Sequence, residues 1–141
     1  MAIDTVDALS RVPLLSGLDQ KELKSLAASF TERAFPADTV VVKQGDERGI
    51  GFFVITDGTA RVSADGQTLA VLGPGDHFGE IALVGDRVRT ATVTAETDLQ
   101  TLVTTVWEFR SFVKTNPDAA WKLLEHLAGL LVEKGSPRKD G

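Results

Sequence analysis

The sequence predicts a mainly β domain of the α+β class, an antiparallel β-roll or jelly roll flanked by helices at both ends. Apolar residues recur at helical spacing over about residues 3–30 and 107–133, whereas residues 36–106 hold short runs rich in β-branched side chains. Asp-Gly pairs, which favour tight turns between antiparallel strands, separate several of these runs. Short strands at this regular spacing are typical of all-β sandwiches and barrels.

Length and composition limit the possible function classes. The chain has 141 residues, 43% of them hydrophobic and 25% charged, which is typical of one packed soluble domain. We assign that domain to residues 1–134 and expect a disordered polar tail over 135–141. Cysteine is absent and histidine occurs twice, so disulfides and sulfur-ligated zinc are excluded, and we expect no metal and no other cofactor.

Charge and hydropathy limit the classes of partner and the cellular location that we expect for the protein. The net charge of −5 argues against a nucleic-acid partner. No apolar run approaches the ~20 residues that span a bilayer. The first residues lack the basic start and the long apolar stretch of a secretory signal. We therefore expect a cytoplasmic protein without a membrane partner.

The N-terminal part predicts two helices. The first contains Ile3, Val6 and Leu9 and must end near Pro13, which has no backbone N–H to donate. Asp19 followed by Glu22 predicts a capping box at the start of the second. Apolar residues then recur at helical spacing, and they are Leu23, Leu26, Ala27 and Phe30.

The middle of the chain predicts six strands joined by turns. The strands are expected at residues 40–42, 52–55, 59–64, 69–72, 90–95 and 99–106. Apolar and polar residues alternate in two of them, 59–64 and 90–95, as in a half-buried strand. The pairs Asp57-Gly58 and Asp65-Gly66 predict tight hairpins, and residues 73–76 predict a further turn.

The C-terminal part predicts a short helix and then a longer one. Phe109, Phe112 and Val113 suit the short helix. Asn116 and Pro117 offer an N-cap and a first helical proline for the longer helix. Its apolar stripe is Trp121, Leu124, Ala128 and Leu131, widened by Leu123, Leu127 and Leu130. Two interpretations stay open: a core helix packed on the barrel, and a lid or dimerisation helix.

One segment interrupts the strand pattern and carries the functional hypothesis. Residues 75–83 are followed, after five residues, by residues 89–93, and a folded-back connection could bring Glu80 and Arg89 into one pocket. Backbone N–H groups near Gly79 could form an anion site. Arg89 could grip a phosphate bidentately, and Glu80 could accept hydrogen bonds from a sugar hydroxyl. Together these groups suit a cyclic phosphodiester, with apolar walls from Val71, Ile81, Leu83 and Val93.

These residues resemble the cyclic nucleotide-binding domain family, a module of kinase regulatory subunits, gated channels and catabolite-activator regulators. The resemblance covers about residues 11–132 and includes four motifs, at residues 12–18, 43–46, 53–55 and 75–93. It implies a phosphate-binding cassette with a short helix. It further implies that Glu80 holds the ribose 2′-hydroxyl, Arg89 the cyclic phosphate, and the amides of residues 79–82 the phosphate oxygens.

The resemblance also implies that Thr90 touches both phosphate and purine. One departure is Val88, because many members have proline before the arginine. The full set of predicted ligand-binding residues is Phe78, Gly79, Glu80, Ile81, Ala82, Leu83, Arg89, Thr90, Ala91 and Val71.

The leading hypothesis is a regulatory module, not an enzyme, that binds cAMP or cGMP and signals by moving its C-terminal helix. Its protein partner would be an effector or a second copy bound through that helix. The alternative is a ligand-independent protein–protein interaction module with a degenerate pocket. A metal-dependent cupin enzyme is disfavoured because His77 and Glu80 have no second histidine near them in sequence, so His77 is interpreted as a surface residue at a strand end.

Overall fold

The computed structural model describes residues 4–45, 51–79 and 91–135. Within these residues it contains the expected flanking helices and the six expected strands, together with two short strands that were not expected, Thr31–Phe35 and His77–Phe78. The helices of these segments are α1 (Thr5–Ser10), a 3₁₀ helix (Pro13–Leu15), α2 (Gln20–Ala27), α3 (Val106–Thr115) and α4 (Pro117–Gly135). The strands are β1 (Thr31–Phe35), β2 (Val40–Val42), β3 (Gly51–Asp57), β4 (Ala60–Ala64), β5 (Gln67–Leu72), β6 (His77–Phe78), β7 (Thr92–Ala95) and β8 (Leu99–Thr105). The predicted fold class is confirmed.

The strands form two antiparallel sheets, which together make the predicted β-roll. The first sheet has the order β1-β8-β3-β6 and the second β2-β7-β4-β5. Facing side chains form an apolar cluster between the sheets, called here the intersheet cluster: Phe35, Phe53, Ile55, Ala60, Phe78, Val93, Ala95 and Leu99. Because alternate residues of a strand point to opposite faces, Phe52 and Val54 of β3 lie on the other side of the first sheet.

Helices from both ends of the chain cover that other side. Buried residues of these helices and of the segments next to them join Phe52, Val54 and Leu102 in a second cluster: Leu9, Val12, Leu14, Leu15, Leu18, Leu23, Leu26, Phe30, Phe112, Ala119 and Leu123. The rings of Phe30 and Phe52 meet edge to face with their centroids 6.2 Å apart. The N-terminal and C-terminal helices therefore share one core with the first sheet.

Capping boxes mark where two of these helices begin. Asp19 Oδ1 accepts from the Glu22 N–H at 2.8 Å, and Glu22 Oε1 accepts from the Asp19 N–H at 2.9 Å, so the predicted capping box is confirmed. Thr105 and Glu108 form a second capping box at the start of α3. The sequence analysis did not predict that one.

Polar contacts fasten the beginning of α4 to α2. The helix starts at Pro117 as predicted, and the Asn116 side-chain amide donates to Phe112 O at 3.0 Å and to Ser25 Oγ at 3.2 Å. One turn into α4, Lys122 Nζ donates to Glu22 Oε1 at 2.8 Å. Glu22 is buried, and its carboxylate thus serves both the capping box and α4.

One of the two predicted hairpins is correct and the other is wrong. Asp65 and Gly66 join β4 to β5 with φ angles of 52° and 79°, as a tight antiparallel turn requires. Asp57 and Gly58, however, join strands of different sheets, because β3 pairs with β6 and β8 while β4 pairs with β5 and β7. Gly58 has a φ of 89°, and a Cβ there would collide with the carbonyl oxygen of Asp98. The absence of a side chain at Gly58 therefore allows the chain to cross from one sheet to the other at this point.

The first strand also begins earlier than expected. The β-roll was predicted from about residue 36, whereas β1 spans Thr31–Phe35 and pairs with β8 at the edge of the first sheet. Four of its five residues are exposed, so it lacks the alternation that reveals a half-buried strand.

Within the described residues, no helix combines the length and apolar character needed to span a bilayer.

Candidate functional site

The two ends of the predicted cassette lie in different sheets. Strand β6 ends at Phe78 in the first sheet, and β7 begins at Thr92 in the second, so the intervening segment connects the sheets. Gly79 has a φ of 83°, a conformation that glycine adopts without steric cost. The predicted ligand contacts Glu80, Ile81, Ala82, Leu83, Arg89 and Thr90, and the predicted short helix, lie outside the described residues.

The first end of this connection is held firmly against β3. Phe78 pairs with Phe53 across the strands, and their rings stack with centroids 4.8 Å apart and planes 10° apart. Two backbone hydrogen bonds join Ile55 of β3 to the turn that precedes β6. The Ile55 N–H donates to Asp76 O and the Gly75 N–H donates to Ile55 O, both at 2.9 Å. Phe78 is 5% exposed and belongs to the intersheet cluster. It therefore anchors the chain next to Gly79, and its contact with a ligand stays a prediction.

The second end is anchored by a small polar network. The Gln44 N–H donates to Thr92 Oγ1 at 2.9 Å. The Gln44 side chain exchanges two bonds with Asp65: Nε2 donates to Oδ1 at 3.1 Å, and Oε1 accepts from the Asp65 N–H at 3.0 Å. The sequence analysis missed this network, since its members are 21 and 48 residues apart. Ala91, predicted to contact ligand, is half-buried immediately before Thr92.

An apolar row lies on the inner face of the second sheet. Val93 of β7 pairs with Val62 on one side and with Val42 on the other. Val93 is buried, while Val42 and Val62 are only partly buried against the intersheet cluster. Val93 was predicted as a pocket wall, and this row gives it two apolar neighbours next to the end of the cassette. Partly exposed aliphatic side chains at this place suit the flat apolar face of a ring.

Val71 lies on the opposite face of its strand. It is 56% exposed and pairs with Arg61, whereas the adjacent Leu72 pairs with Ala60 and packs against the intersheet cluster. The run 69–72 is apolar throughout, so its sequence does not reveal which residues face inward. A contact of Val71 with ligand stays a prediction.

His77 is more buried than a surface residue at a strand end. It is half-buried in β6, and its ring lies 5.4 Å from the Phe52 ring. No group of three potential metal-ligating side chains occurs within the described segments 4–45, 51–79 and 91–135.

A separate groove of about 620 Å³ lies between α1 and the turn that precedes β6. Its charged side chains are four carboxylates and one guanidinium, and they are Asp4, Asp7, Glu32, Asp57 and Arg11. Arg11 pairs with Asp7 at 3.0 Å. Because this excess of carboxylates repels anions, the groove is unsuited to a phosphate ester.

Comparison with known proteins assigns the chain to a family. The family described as "Cyclic nucleotide-binding domain" matches residues 32–116, which include both sheets except for Thr31, the first residue of β1, and the whole predicted cassette. The chain belongs to this family. The cyclic nucleotide-binding domain recognised from its motifs in the sequence is thereby confirmed.

Individual relatives agree with this family. The chain is 41% identical over 93 residues to a "cAMP-dependent protein kinase regulatory subunit" of Schizosaccharomyces pombe, covering 65% of this chain and 22% of that protein. A solved N-terminal domain of a transcriptional regulator from Streptomyces coelicolor A3(2) has a TM-score of 0.85 at 29% identity, covering 96% of this chain and 99% of that one. The structure "Sp-2Cl-cAMPS bound to PKAR CBD2" has a TM-score of 0.71 at 29% identity, covering 92% and 88%.

The first curated relatives are much longer than this cyclic nucleotide-binding domain. The chain spans 22%, 25% and 20% of their lengths. The similarity therefore concerns one domain of each.

Proposed function

We propose that this domain binds a cyclic nucleotide, cAMP or cGMP, in a site between the two sheets, and that it is a regulatory domain without catalytic activity of its own. The carrying observation is the family match, because it spans the segment in which Glu80 and Arg89 have the spacing of a phosphate-binding cassette. The Schizosaccharomyces pombe relative is named as cAMP-dependent, and the PKAR domain of similar fold was solved with a cAMP analogue. These two names support cAMP over cGMP as the first ligand to test.

Under this proposal, a chemically suitable group of the protein contacts each part of the cyclic nucleotide. The cyclic phosphate carries one negative charge, which the Arg89 guanidinium binds with two parallel hydrogen bonds. The Glu80 carboxylate accepts from the ribose 2′-hydroxyl, and the backbone next to Gly79 donates to phosphate oxygens. The purine packs on the apolar row of the second sheet, where Val42 and Val62 are partly exposed.

Calorimetric titration tests this proposal. We expect cAMP, cGMP or both to bind with a stoichiometry of one per chain. The control ligand 5′-AMP has an open phosphate with a different charge and shape, and it should bind more weakly. If neither cyclic nucleotide binds at millimolar concentration, the proposed function is wrong.

We further propose that α4 transmits the signal, through an effector protein or a second copy of the chain. Trp121 and Leu124 are 63% and 54% exposed, and Ala128 is exposed on the same face. The opposite face of α4 is buried through Ala119 and Leu123. An exposed apolar stripe at this spacing is typical of a helix that packs against another helix.

The contacts of α4 limit how it can move. The Lys122–Glu22 ion pair and the Asn116–Ser25 hydrogen bond join it to α2. A movement of α4 alone would break both contacts. A ligand-linked movement must therefore either carry α2 along or release the buried Glu22 carboxylate from its cation.

The second candidate function is a ligand-independent interaction module. The exposed stripe on α4 favours it, because that surface exists without any ligand. Sedimentation velocity with and without cAMP distinguishes the two. Self-association that is unchanged by cAMP, together with no calorimetric binding, would support the second candidate.

A further inference from the structure

The side chain of Gln44 connects neighbouring segments at the end of the second sheet where the cassette meets β7. Gln44 follows β2, Asp65 begins the turn between β4 and β5, and Thr92 is the first residue of β7. Strand β7 lies between β2 and β4 in the sheet. Gln44 therefore reaches across the beginning of β7 to contact Asp65.

The hydrogen bonds of Gln44 determine the orientation of its side chain. The amide donates from Nε2 to Asp65 Oδ1 and accepts at Oε1 from the Asp65 N–H. A flipped amide would face a donor with a donor and an acceptor with an acceptor. The Gln44 N–H donates at the same time to Thr92 Oγ1. One residue thus links three separate chain segments at the point where β7 begins.

We propose that Gln44 is a positioning residue for the nucleotide site, an inference that rests on the proposed function. Arg89 lies three positions before Thr92 in sequence, a stretch that spans at most about 11 Å. Fixing Thr92 therefore restricts the positions available to the arginine that holds the cyclic phosphate. A bidentate hydrogen-bonded pair depends strongly on orientation, and freedom that binding must remove lowers affinity.

A purely structural role for Gln44 makes a different prediction. If the network only strengthens the sheet, its loss lowers the stability of the free protein and leaves nucleotide binding unchanged. If it positions the site, its loss also accelerates dissociation of bound nucleotide. Dissociation rate and thermal stability must therefore be measured on the same variants.

The main variant is Gln44→Met, which keeps the length of the side chain and removes both of its hydrogen bonds to Asp65. We expect cAMP to bind about tenfold more weakly by calorimetry, or about 1.4 kcal/mol. Most of this change should be a faster release of tritiated cAMP in a chase with unlabelled cAMP. Gln67→Met replaces a residue of the same type on the other side of the same turn, and it should stay within about twofold of wild type.

Two variants of Asp65 test the partner. Asp65→Asn keeps an acceptor at Oδ1 and tolerates the φ of 52°, so it should bind cAMP as the wild type does. Asp65→Gly suits the same φ but removes the acceptor, so it should weaken binding by about threefold. Because the bond that Asp65→Gly removes is one of the two that Gln44→Met removes, Gln44→Met combined with Asp65→Gly should bind no more weakly than Gln44→Met alone.

Different failures identify different errors. Wild-type affinity and release rate in Gln44→Met overturn this inference and leave the proposed function intact. A lower melting temperature without faster release overturns it as well. If Gln44→Met does not fold, the same criterion is applied to Asp65→Gly against Asp65→Asn. A wild-type chain that binds neither cAMP nor cGMP overturns the proposed function and this inference together.

Discussion

Two adjacent leucines of α4 should have opposite roles, one in the fold and one in association. Leu123 is 6% exposed in the core shared by the helices and the first sheet, whereas Leu124 is 54% exposed. Removing a buried leucine side chain to alanine costs about 2–5 kcal/mol. Leu123 is nearly but not completely enclosed, so we place Leu123→Ala at about 3 kcal/mol. For a domain of this size that lowers Tm by about 10 °C.

Leu124→Ala is the matched control on the same helix. It makes the same chemical change on the exposed face and should alter the free energy of unfolding by less than about 0.5 kcal/mol. It should instead weaken any self-association seen by sedimentation velocity.

Urea unfolding provides the assay for both variants. Unfolding is followed by the fluorescence of the two tryptophans, Trp107 and Trp121, at two protein concentrations, so that association is separated from folding. Equal destabilisation by Leu123→Ala and Leu124→Ala would show that the two faces of α4 have been assigned incorrectly.

Three further predictions concern the ligand contacts and the attachment of α4. Arg89→Ala should weaken cAMP binding by about two to three and a half decades, since losing one partner of a buried ion pair costs about 3–5 kcal/mol, and calorimetry should show only partial recovery in Arg89→Lys. Glu80→Ala should weaken cAMP by one to two decades while hardly changing the affinity for 2′-deoxy-cAMP; equal losses would assign Glu80 a structural role. The hydrogen bond to Glu22 raises the pKa of Lys122 above its usual 10.5, so the stability from this pair is complete below about pH 10.5 and is lost as the pH rises further. Urea titrations above that pH should therefore show a steeper loss in the wild type than in Lys122→Met, and parallel curves would contradict the pairing.

Local signals explain why most elements were predictable from sequence. The Asp19–Glu22 capping box, the Asp65-Gly66 turn and the alternation in β7 each depend on residues close together in the chain. The family motifs extended the prediction from elements to a site. Their residues are consecutive or nearly so, and the family match confirms the family they indicated.

Features that depend on distant contacts were not predictable in this way. Asp57-Gly58 has the composition of a hairpin turn, but strand pairing far along the chain makes it a crossover between sheets. The inner face of β5 is hidden in an unbroken apolar run, and the Gln44 network joins residues whose proximity only the sheet order creates. For α4, the sequence predicted a broad apolar surface but not which part of it is buried. The packing of Leu123 against the N-terminal helices decides which part of that surface is core.

The most direct test of the central claim is a map of backbone amide chemical shifts in the NMR spectrum during titration with cAMP. Binding between the two sheets predicts the largest shifts at Gly79, Ala91 and Thr92, where the cassette begins and ends, and at Val42 and Val62 of the apolar row. Smaller shifts should follow in α4. Shifts confined to the acidic groove beside α1, with Gly79 and Thr92 unchanged at saturation, would contradict a nucleotide site between the sheets.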